Sequence, residues 1–241
     1  MIAKKIKNLY KRIYHQYYSK SIFYSKFINN NDLVFDIGAN IGNRTEVFLG
    51  IGARVIAVEP NPKIALSLTK KYPKAEIVQK AIGSNKGIVN LFLNEADVLS
   101  TTSEEWLNTI KETNRFGELA HKFNETVEVQ QETINDLITK YGIPKFIKID
   151  TEGTELEIIE QLKTNEVDCI SFEFHAFKTE STDRKSRLSL KHLHSIGYKK
   201  FNISFGETMV FCGEENFDYD VLINLLDALP LTWGDIYAFR N

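Results

Sequence analysis

The chain has 241 residues, of which 43% are hydrophobic and 26% are charged, and its formal net charge is −2. This length suits one large domain with a full hydrophobic core, and the near-neutral charge gives no support for nucleic-acid binding. No apolar run reaches the roughly 18 residues that a transmembrane helix needs, and we recognise no signal peptide, so we expect a cytoplasmic protein.

Residues 1–30 form a basic, aromatic extension in front of the main domain, which we assign to residues 31–241. The extension carries seven Lys and Arg residues and no acidic one. Its apolar positions recur at helical spacing: Ile2, Ile6, Leu9, Ile13 and Tyr17. The pattern predicts a helix whose apolar stripe packs on the domain or on a partner subunit, as in an oligomer. The alternative is peripheral contact with an anionic membrane surface.

The stretch from Asp32 to Pro62 reads as a strand, a glycine turn, a helix and a second strand. Its first apolar run, residues 33–37, is typical of a buried parallel strand. Gly38 and Gly42 bracket the turn, where the absence of Cβ atoms lets backbone and ligand approach closely. We expect the second strand to end at Glu59.

Glu59 is the candidate for binding the two ribose hydroxyls of a nucleoside. Ligands of open parallel sheets bind at the carboxyl ends of the strands, and Glu59 follows Gly42 at close to the spacing of about 20 residues expected for this contact. The turn, G-A-N-I-G, lacks the G-x-G-x-x-G spacing of pyrophosphate binders. We therefore predict a nucleoside ligand without a pyrophosphate, of which S-adenosylmethionine is the common example. Another nucleotide is the alternative.

Three sequence blocks resemble the FkbM family of class I S-adenosylmethionine-dependent methyltransferases: V-F-D-I-G-A-N-I-G-N, A-V-E-P-N-P and F-I-K-I-D-T-E-G-T-E-L-E-I-I. The resemblance extends roughly from Asn31 to the C-terminus. It implies a Rossmann-like α/β fold, with a mostly parallel seven-stranded sheet, an antiparallel edge strand and helices on both faces. It also implies S-adenosylmethionine as cofactor and a hydroxyl of a sugar, glycan or secondary metabolite as acceptor. The cofactor contacts that we carry over are Asp36, Gly38, Asn40, Gly42, Glu59, Ala81 and Asp150.

Further apolar patterns predict the elements that follow Glu59. Strands are expected at 75–79, 88–93, 127–130, 146–149 and 167–174, and helices at 62–71, 184–196 and 218–229. Residues 198–203 and 208–212 suit an antiparallel pair that closes the sheet. Cys169 and Cys212 fall in apolar strand-like runs, so we expect buried free thiols in a reducing compartment.

Residues 94–125 break the alternation of strands and helices. Substrate contacts tend to lie on loops above a rigid sheet, so we expect the acceptor pocket here. Ser100 and Thr101, with Thr102, are the candidate contact residues. The alternative is a packed surface loop.

Polar groups at the ends of two neighbouring strands form the candidate catalytic site. Lys148, Asp150 and Glu152 follow one strand, and Glu173 and His175 end the next. An acceptor hydroxyl must lose a proton, and we assign the general base to His175; alternatively this histidine is satisfied by Glu173 or by backbone. Asp150 and Glu152 suit the cofactor's ammonium group or an acceptor hydroxyl. Lys148 and Glu173 complete the acceptor-binding set, and Lys148 is expected to pair with a carboxylate.

Four alternatives to this function stay open. Asp150, Glu173 and His175 suit a divalent ion, although the resemblance does not imply a metal and we do not favour one. A second alternative is that the methyl group is transferred to nitrogen or to a small non-sugar acceptor. A dinucleotide-binding oxidoreductase and a non-catalytic nucleoside-binding module are alternatives of a different class.

Overall fold

The computed structural model describes residues 18–95, 99–114, 116–176, 180–230 and 232–240. In chain order the strands and α-helices are β1 (Leu33–Ile37), α1 (Asn43–Ile51), β2 (Arg54–Val58), α2 (Pro62–Lys71), β3 (Glu76–Val78), β4 (Ala81–Ile82), β5 (Gly87–Asn94), α3 (Glu104–Thr113), β6 (Phe123–Glu132), α4 (Ile134–Tyr141), β7 (Phe146–Ile149), α5 (Glu155–Ile159), β8 (Cys169–Ala176), α6 (Glu180–Ser195), β9 (Lys200–Phe205), β10 (Phe217–Asp218), α7 (Tyr219–Ala228) and β11 (Thr232–Phe239). A short 3₁₀ helix, Gly117–His121, follows α3.

Two sheets organise these elements. The large one has eight strands in the order β10-β9-β11-β8-β7-β1-β2-β3, and β4, β6 and β5 form a separate three-stranded sheet. Strands β3, β2, β1, β7 and β8 run parallel, and β11 is antiparallel to both β8 and β9. This is the Rossmann-like α/β fold that the sequence predicts, with eight strands in the large sheet where seven were expected.

The C-terminal half of the large sheet differs from the prediction in its pairing. Residues 208–212 form only an isolated bridge, between Phe211 and Ser204, because the chain turns at Met209, whose φ is 54°. The ladder on β9 is made instead by β11. Because β11 also pairs with β8, one antiparallel strand lies inside the sheet, while β10, which is antiparallel to β9, forms the antiparallel edge that the sequence predicts. Because residues 208–212 do not form the predicted strand, Cys212 is exposed, and the prediction that it is buried is wrong. Cys169 is buried, as predicted.

The two faces of the large sheet carry separate hydrophobic clusters. Strand β1 shows the alternation: Val34 joins one cluster, and Phe35 and Ile37 join the other. Successive strand residues point to opposite faces, so both faces are buried. One cluster is closed by residues of α4, α5, α6 and α7, and the other by residues of α1 and α2.

Residues 18–24 are helical and close the cluster that lies over α1 and α2. Phe23, Tyr24 and Ile28 are each at most 1% exposed. The stripe that the sequence predicts, from Ile2 to Tyr17, lies outside the described residues. Within the described part of the chain, no helix is both long enough and apolar enough to cross a membrane.

Candidate cofactor and acceptor site

A cleft of about 190 Å³ opens at the carboxyl ends of β1, β2 and β7. Most of the sequence-predicted site residues line it: Asp36, Gly38, Asn40, Glu59, Ala81, Ser100, Thr101, Lys148, Asp150 and Glu152. Gly42, Glu173 and His175 are not among its lining residues. The sheet therefore brings the predicted cofactor and acceptor residues together, apart from these three.

Both glycines of the turn after β1 are required by packing within the protein. Gly38 has φ 78°, and a Cβ there would lie 1.7 Å from the carbonyl oxygen of Asp150. Gly42 has φ 86°, and a Cβ there would lie 2.3 Å from the ring of Tyr72. The sequence-based explanation, close approach of a ligand, is therefore incomplete. These glycines let the turn pack against the end of β7 and against α2, which shapes the cleft from below.

The carboxylate of Glu59 is held in one orientation at the end of β2. The backbone N–H of Asn40 donates to its Oε2 at 2.9 Å, and that of Asn61 donates to its Oε1 at 2.8 Å. Glu59 is only 6% exposed, yet it lines the cleft. A buried carboxylate fixed by two backbone donors suits the recognition of a ribose diol.

Buried charges lie beneath the cleft. The Nζ of Lys148 is 2.8 Å from Asp150 Oδ2 and 3.5 Å from Asp235 Oδ1, so the predicted pairing of Lys148 with a carboxylate is confirmed. Burial acts to lower the pKa of Lys148, but the charges of Asp150 and Asp235 outweigh it and hold that pKa well above its usual value. Burial raises the pKa of Asp36, whose Oδ2 accepts a 2.6 Å hydrogen bond from Thr45 Oγ1.

Residues 99–102 contact the loop that follows β7. Thr101 pairs with Phe92 as an isolated bridge, and its Oγ1 donates to the carbonyl oxygen of Glu152 at 2.6 Å. Ser100 Oγ accepts from the backbone N–H of Asn94 at 3.2 Å. These bonds place the hydroxyl-bearing residues in the cleft wall beside Glu152, where the sequence predicts the acceptor pocket.

His175 lies in a second, smaller cavity of about 30 Å³, outside the main cleft. Its ring stacks on Trp106, with centroids 4.8 Å apart, and its Nε2 is 3.1 Å from Glu173 Oε2. This contact with Glu173 is the one that the sequence leaves as an alternative, but within the described residues the buried Glu173 Oε2 has no hydrogen-bond partner, so the contact is one of proximity only. The structure therefore does not bring His175 to the cleft beside Asp150, as its assignment to the acceptor requires.

Glu173 connects the two cavities. It lines the smaller cavity, and one carboxylate oxygen each of Asp150, Glu152 and Glu173 lie within 4.8 Å of one another. His175, which the metal alternative includes, does not belong to this carboxylate group. Clusters of acidic side chains also occur without an ion, so the geometry adds no support for a metal.

The sequence-based prediction missed two charged residues of the cleft wall, Arg44 and Glu207. Arg44 Nη2 is 2.6 Å from Glu207 Oε1, and Lys20 Nζ is 2.8 Å from Glu207 Oε2. A basic residue in the first turn of a helix opposes the helix dipole, and this was the available signal for Arg44. Glu207 follows β9, far along the chain from the motifs, and no local pattern marks it.

The family model described as the methyltransferase FkbM domain matches residues 36–219. No curated protein sequence matches the chain. Among solved structures, a TehB-like SAM-dependent methyltransferase from Corynebacterium glutamicum is 8% identical, covering 98% of this chain and 97% of its own, with a TM-score of 0.49. A precorrin-6y C5,15-methyltransferase from Geobacter metallireducens is 13% identical, covering 92% and 87%, with a TM-score of 0.46. Magnesium protoporphyrin IX methyltransferase from Synechocystis, with bound SAM, is 10% identical, covering 95% and 81%, with a TM-score of 0.46.

Proposed function

This chain belongs to the FkbM family of S-adenosylmethionine-dependent methyltransferases, and from that premise we propose that it methylates a hydroxyl group of a sugar, glycan or secondary metabolite. S-adenosylmethionine is its cofactor, and the dinucleotide-binding oxidoreductase is set aside. The family model begins at residue 36, and we treat residues 1–30 as an extension of the methyltransferase domain.

The donor groups of the cleft fit this cofactor. We assign the ribose hydroxyls to Glu59, whose carboxylate is fixed by the backbone of Asn40 and Asn61. Ala81, in β4, also lines the cleft and is assigned to the adenine. Asp150 is assigned to the ammonium group of the methionine part, and Asp36 lines the cleft with it. When bound, the cofactor supplies an activated methyl group on a sulfonium, so the protein has to align the acceptor and take its proton.

The composition of the cleft wall is the observation that supports a hydroxyl group as acceptor. Asp150 and Glu152 line the same cleft as Glu59, together with Ser100, Thr101 and Thr102. The part of the wall that the structure describes contains no aromatic side chain. Hydrogen-bonding groups of this kind suit a polyhydroxylated acceptor better than a flat aromatic one, which binds by stacking.

Glu152 is the residue that we propose as proton acceptor, with His175 acting through Glu173. Glu152 has a left-handed backbone, with φ 55°, which is uncommon for a residue other than glycine. Its carboxylate lies near those of Asp150 and Glu173. Since His175 is 3.1 Å from Glu173, it is connected to the acceptor position by that carboxylate and not by direct contact.

Binding of S-adenosylhomocysteine tests the cofactor site. The product should raise the melting temperature of the wild-type protein, and Glu59→Ala should abolish that shift because the ribose contact is lost. Glu76→Ala, an exposed acidic position in β3, is the control and should keep the shift. A full shift with Glu59→Ala would refute the ribose assignment, and no shift with the wild type would refute the cofactor site.

A methyl-transfer screen tests the acceptor class. Glycans, sugar nucleotides and hydroxylated small molecules are incubated with the cofactor, and products are identified by mass and by the methylated atom. With the acceptor so found, Glu152→Gln should lower turnover by roughly 10² or more with unchanged affinity for S-adenosylhomocysteine. Methylation of nitrogen, with none on oxygen, would establish the alternative acceptor.

A further inference from the structure

Arg44 is a buried cation in the cleft wall with few hydrogen bonds. It is 8% exposed, although it lines the cleft. A guanidinium has five N–H donors. Within the described residues its hydrogen bond is the one from Nη2 to Glu207, and its buried Nε has no partner. Buried charged donors are normally satisfied. Since the Nε is enclosed by protein, the terminal Nη groups are the donors with which Arg44 can receive an anionic group that enters the cleft.

Glu207, which also lines the cleft, holds Arg44 in place. Its Oε1 accepts from Arg44, and its Oε2 pairs with Lys20 at 2.8 Å. Each carboxylate oxygen is thus engaged by a cation. The guanidinium also lies over the ring of Tyr24, with Cζ 6.0 Å from the ring centroid. These contacts fix the Arg44 side chain before any ligand arrives, which reduces the entropy cost of binding.

The order of the strands in the large sheet shows on which side of the cleft, relative to Glu59, Arg44 lies. Glu59 follows β2, whereas Glu207 follows β9, and β1, β7, β8 and β11 lie between those two strands. The ion pair with Glu207 therefore directs the guanidinium towards the β7 side, away from Glu59. If Glu59 holds the ribose, the methionine part of the cofactor lies across β1 from it, on this same side.

We propose that Arg44, held by Glu207 and Lys20, binds the α-carboxylate of the methionine part of S-adenosylmethionine. The inference rests on the proposed position of the ribose at Glu59. Arginine is well suited to this group, because its planar donors match a carboxylate in a bidentate geometry. The ammonium group of the same ligand is left to the carboxylates at the end of β7.

Two ligands that differ only in the carboxylate test this proposal. S-adenosylhomocysteine carries it, and the decarboxylated analogue, 5′-(3-aminopropylthio)-5′-deoxyadenosine, keeps the adenosine, the sulfur and the ammonium group. Calorimetry on the full chain should show that the wild type binds S-adenosylhomocysteine about 10- to 100-fold more tightly, as expected for a charged hydrogen-bonded contact. Arg44→Met should remove that preference and leave the affinity for the analogue unchanged.

Further variants separate recognition from folding. Arg44→Lys keeps a positive charge and should retain part of the preference. Arg54→Met removes an arginine at the exposed start of β2 and should leave both affinities unchanged.

Three outcomes would overturn the proposal. Equal weakening of both ligands by Arg44→Met would show that the guanidinium only shapes the cleft. An unchanged preference, with a raised KM for the acceptor, would assign Arg44 to acceptor binding. If neither ligand binds the wild type, the assignment of the cofactor site is refuted, and the role of Arg44 is refuted with it. If both ligands bind but Arg44→Met has no effect, only the role of Arg44 is refuted.

Discussion

At the scale of single residues, the cleft depends on charges that are buried in pairs. Asp36, Lys148 and Asp235 are each at most 5% exposed. Burial raises the pKa of Asp235, although Lys148 opposes that rise. Removing one member of such a group leaves an uncompensated charge. Lys148 ties the fold and the site together, because it pairs with Asp235 of β11 and also with Asp150 in the cleft.

Because of Glu207, the free energy of unfolding at low pH depends on ion pairs in the cleft wall. Burial acts to raise its pKa, but hydrogen bonds from Arg44 and Lys20 prevail and lower the pKa to about 2, from a usual value of 4.5. A lowered carboxyl pKa stabilises the fold above the unfolded value, and that stability is lost as pH falls towards the folded value. The side chain is half exposed, so we expect an effect on the order of 1 kcal/mol.

The measurement compares urea unfolding of the wild type and Glu207→Gln from pH 7 to pH 3. Glu207→Gln should be less stable at pH 7, and the difference should shrink as the pH falls below about 4.5. Glu214→Gln, an exposed position in the same loop, should match the wild type throughout. A difference that stays constant with pH would show that the charge of Glu207 contributes nothing to stability.

At the scale of elements, local signals in the sequence determine where helices begin. Thr133 opens α4 with a capping box: its Oγ1 accepts from the backbone N–H of Asp136, and Asp136 Oδ2 accepts from the backbone N–H of Thr133. Thr133→Ala should lower the free energy of unfolding by about 1 kcal/mol, because two backbone donors lose their orientation or their acceptor.

Two variants of the same helix check that interpretation. Thr133→Ser keeps the hydroxyl and should cost less than Thr133→Ala. Thr139→Ala removes an exposed hydroxyl that donates to the carbonyl oxygen of Asn135 within α4, and it should change stability by less than about 0.5 kcal/mol. Equal losses from Thr133→Ala and Thr139→Ala would show that the cap itself is not important.

Elements with a local signal could be predicted from the sequence, and elements that depend on distant pairing could not. The succession of β1, turn, α1 and β2 follows from apolar runs and glycines that are close together in the chain. β11 contacts β8 and β9 from the far end of the chain, so no local pattern distinguishes it from residues 208–212 as the partner of β9.

The same difference applies to the site. Glu59 and Asp150 end strands, and parallel strands bring such ends together, so their convergence could be predicted. His175 also ends a strand, but Trp106 of α3 stacks on it in a separate cavity. The packing of α3 against β8 joins distant parts of the chain and could not be read from periodicity.

At the scale of the whole molecule, the N-terminal segment is part of the structure that holds the cleft. Lys20 pairs with Glu207 in the cleft wall, and the next turn of the same segment buries aromatic rings against the sheet. Phe23 contacts Phe211 and Tyr237 with ring centroids 4.7 Å and 5.4 Å apart. Phe211 and Glu207 belong to the same loop, so this packing holds in place the loop that carries Glu207.

Neighbouring positions of this segment separate packing from membrane contact. Phe23 is 1% exposed and Ile22 is 51% exposed. Phe23→Ala should lower the free energy of unfolding by about 3–5 kcal/mol, because a buried ring leaves a cavity, whereas Ile22→Ala should change it by less than about 0.5 kcal/mol. Urea unfolding measures both values. If Phe23→Ala instead left stability unchanged and weakened binding to anionic vesicles, the segment would be a membrane contact and its place in the core would be wrong.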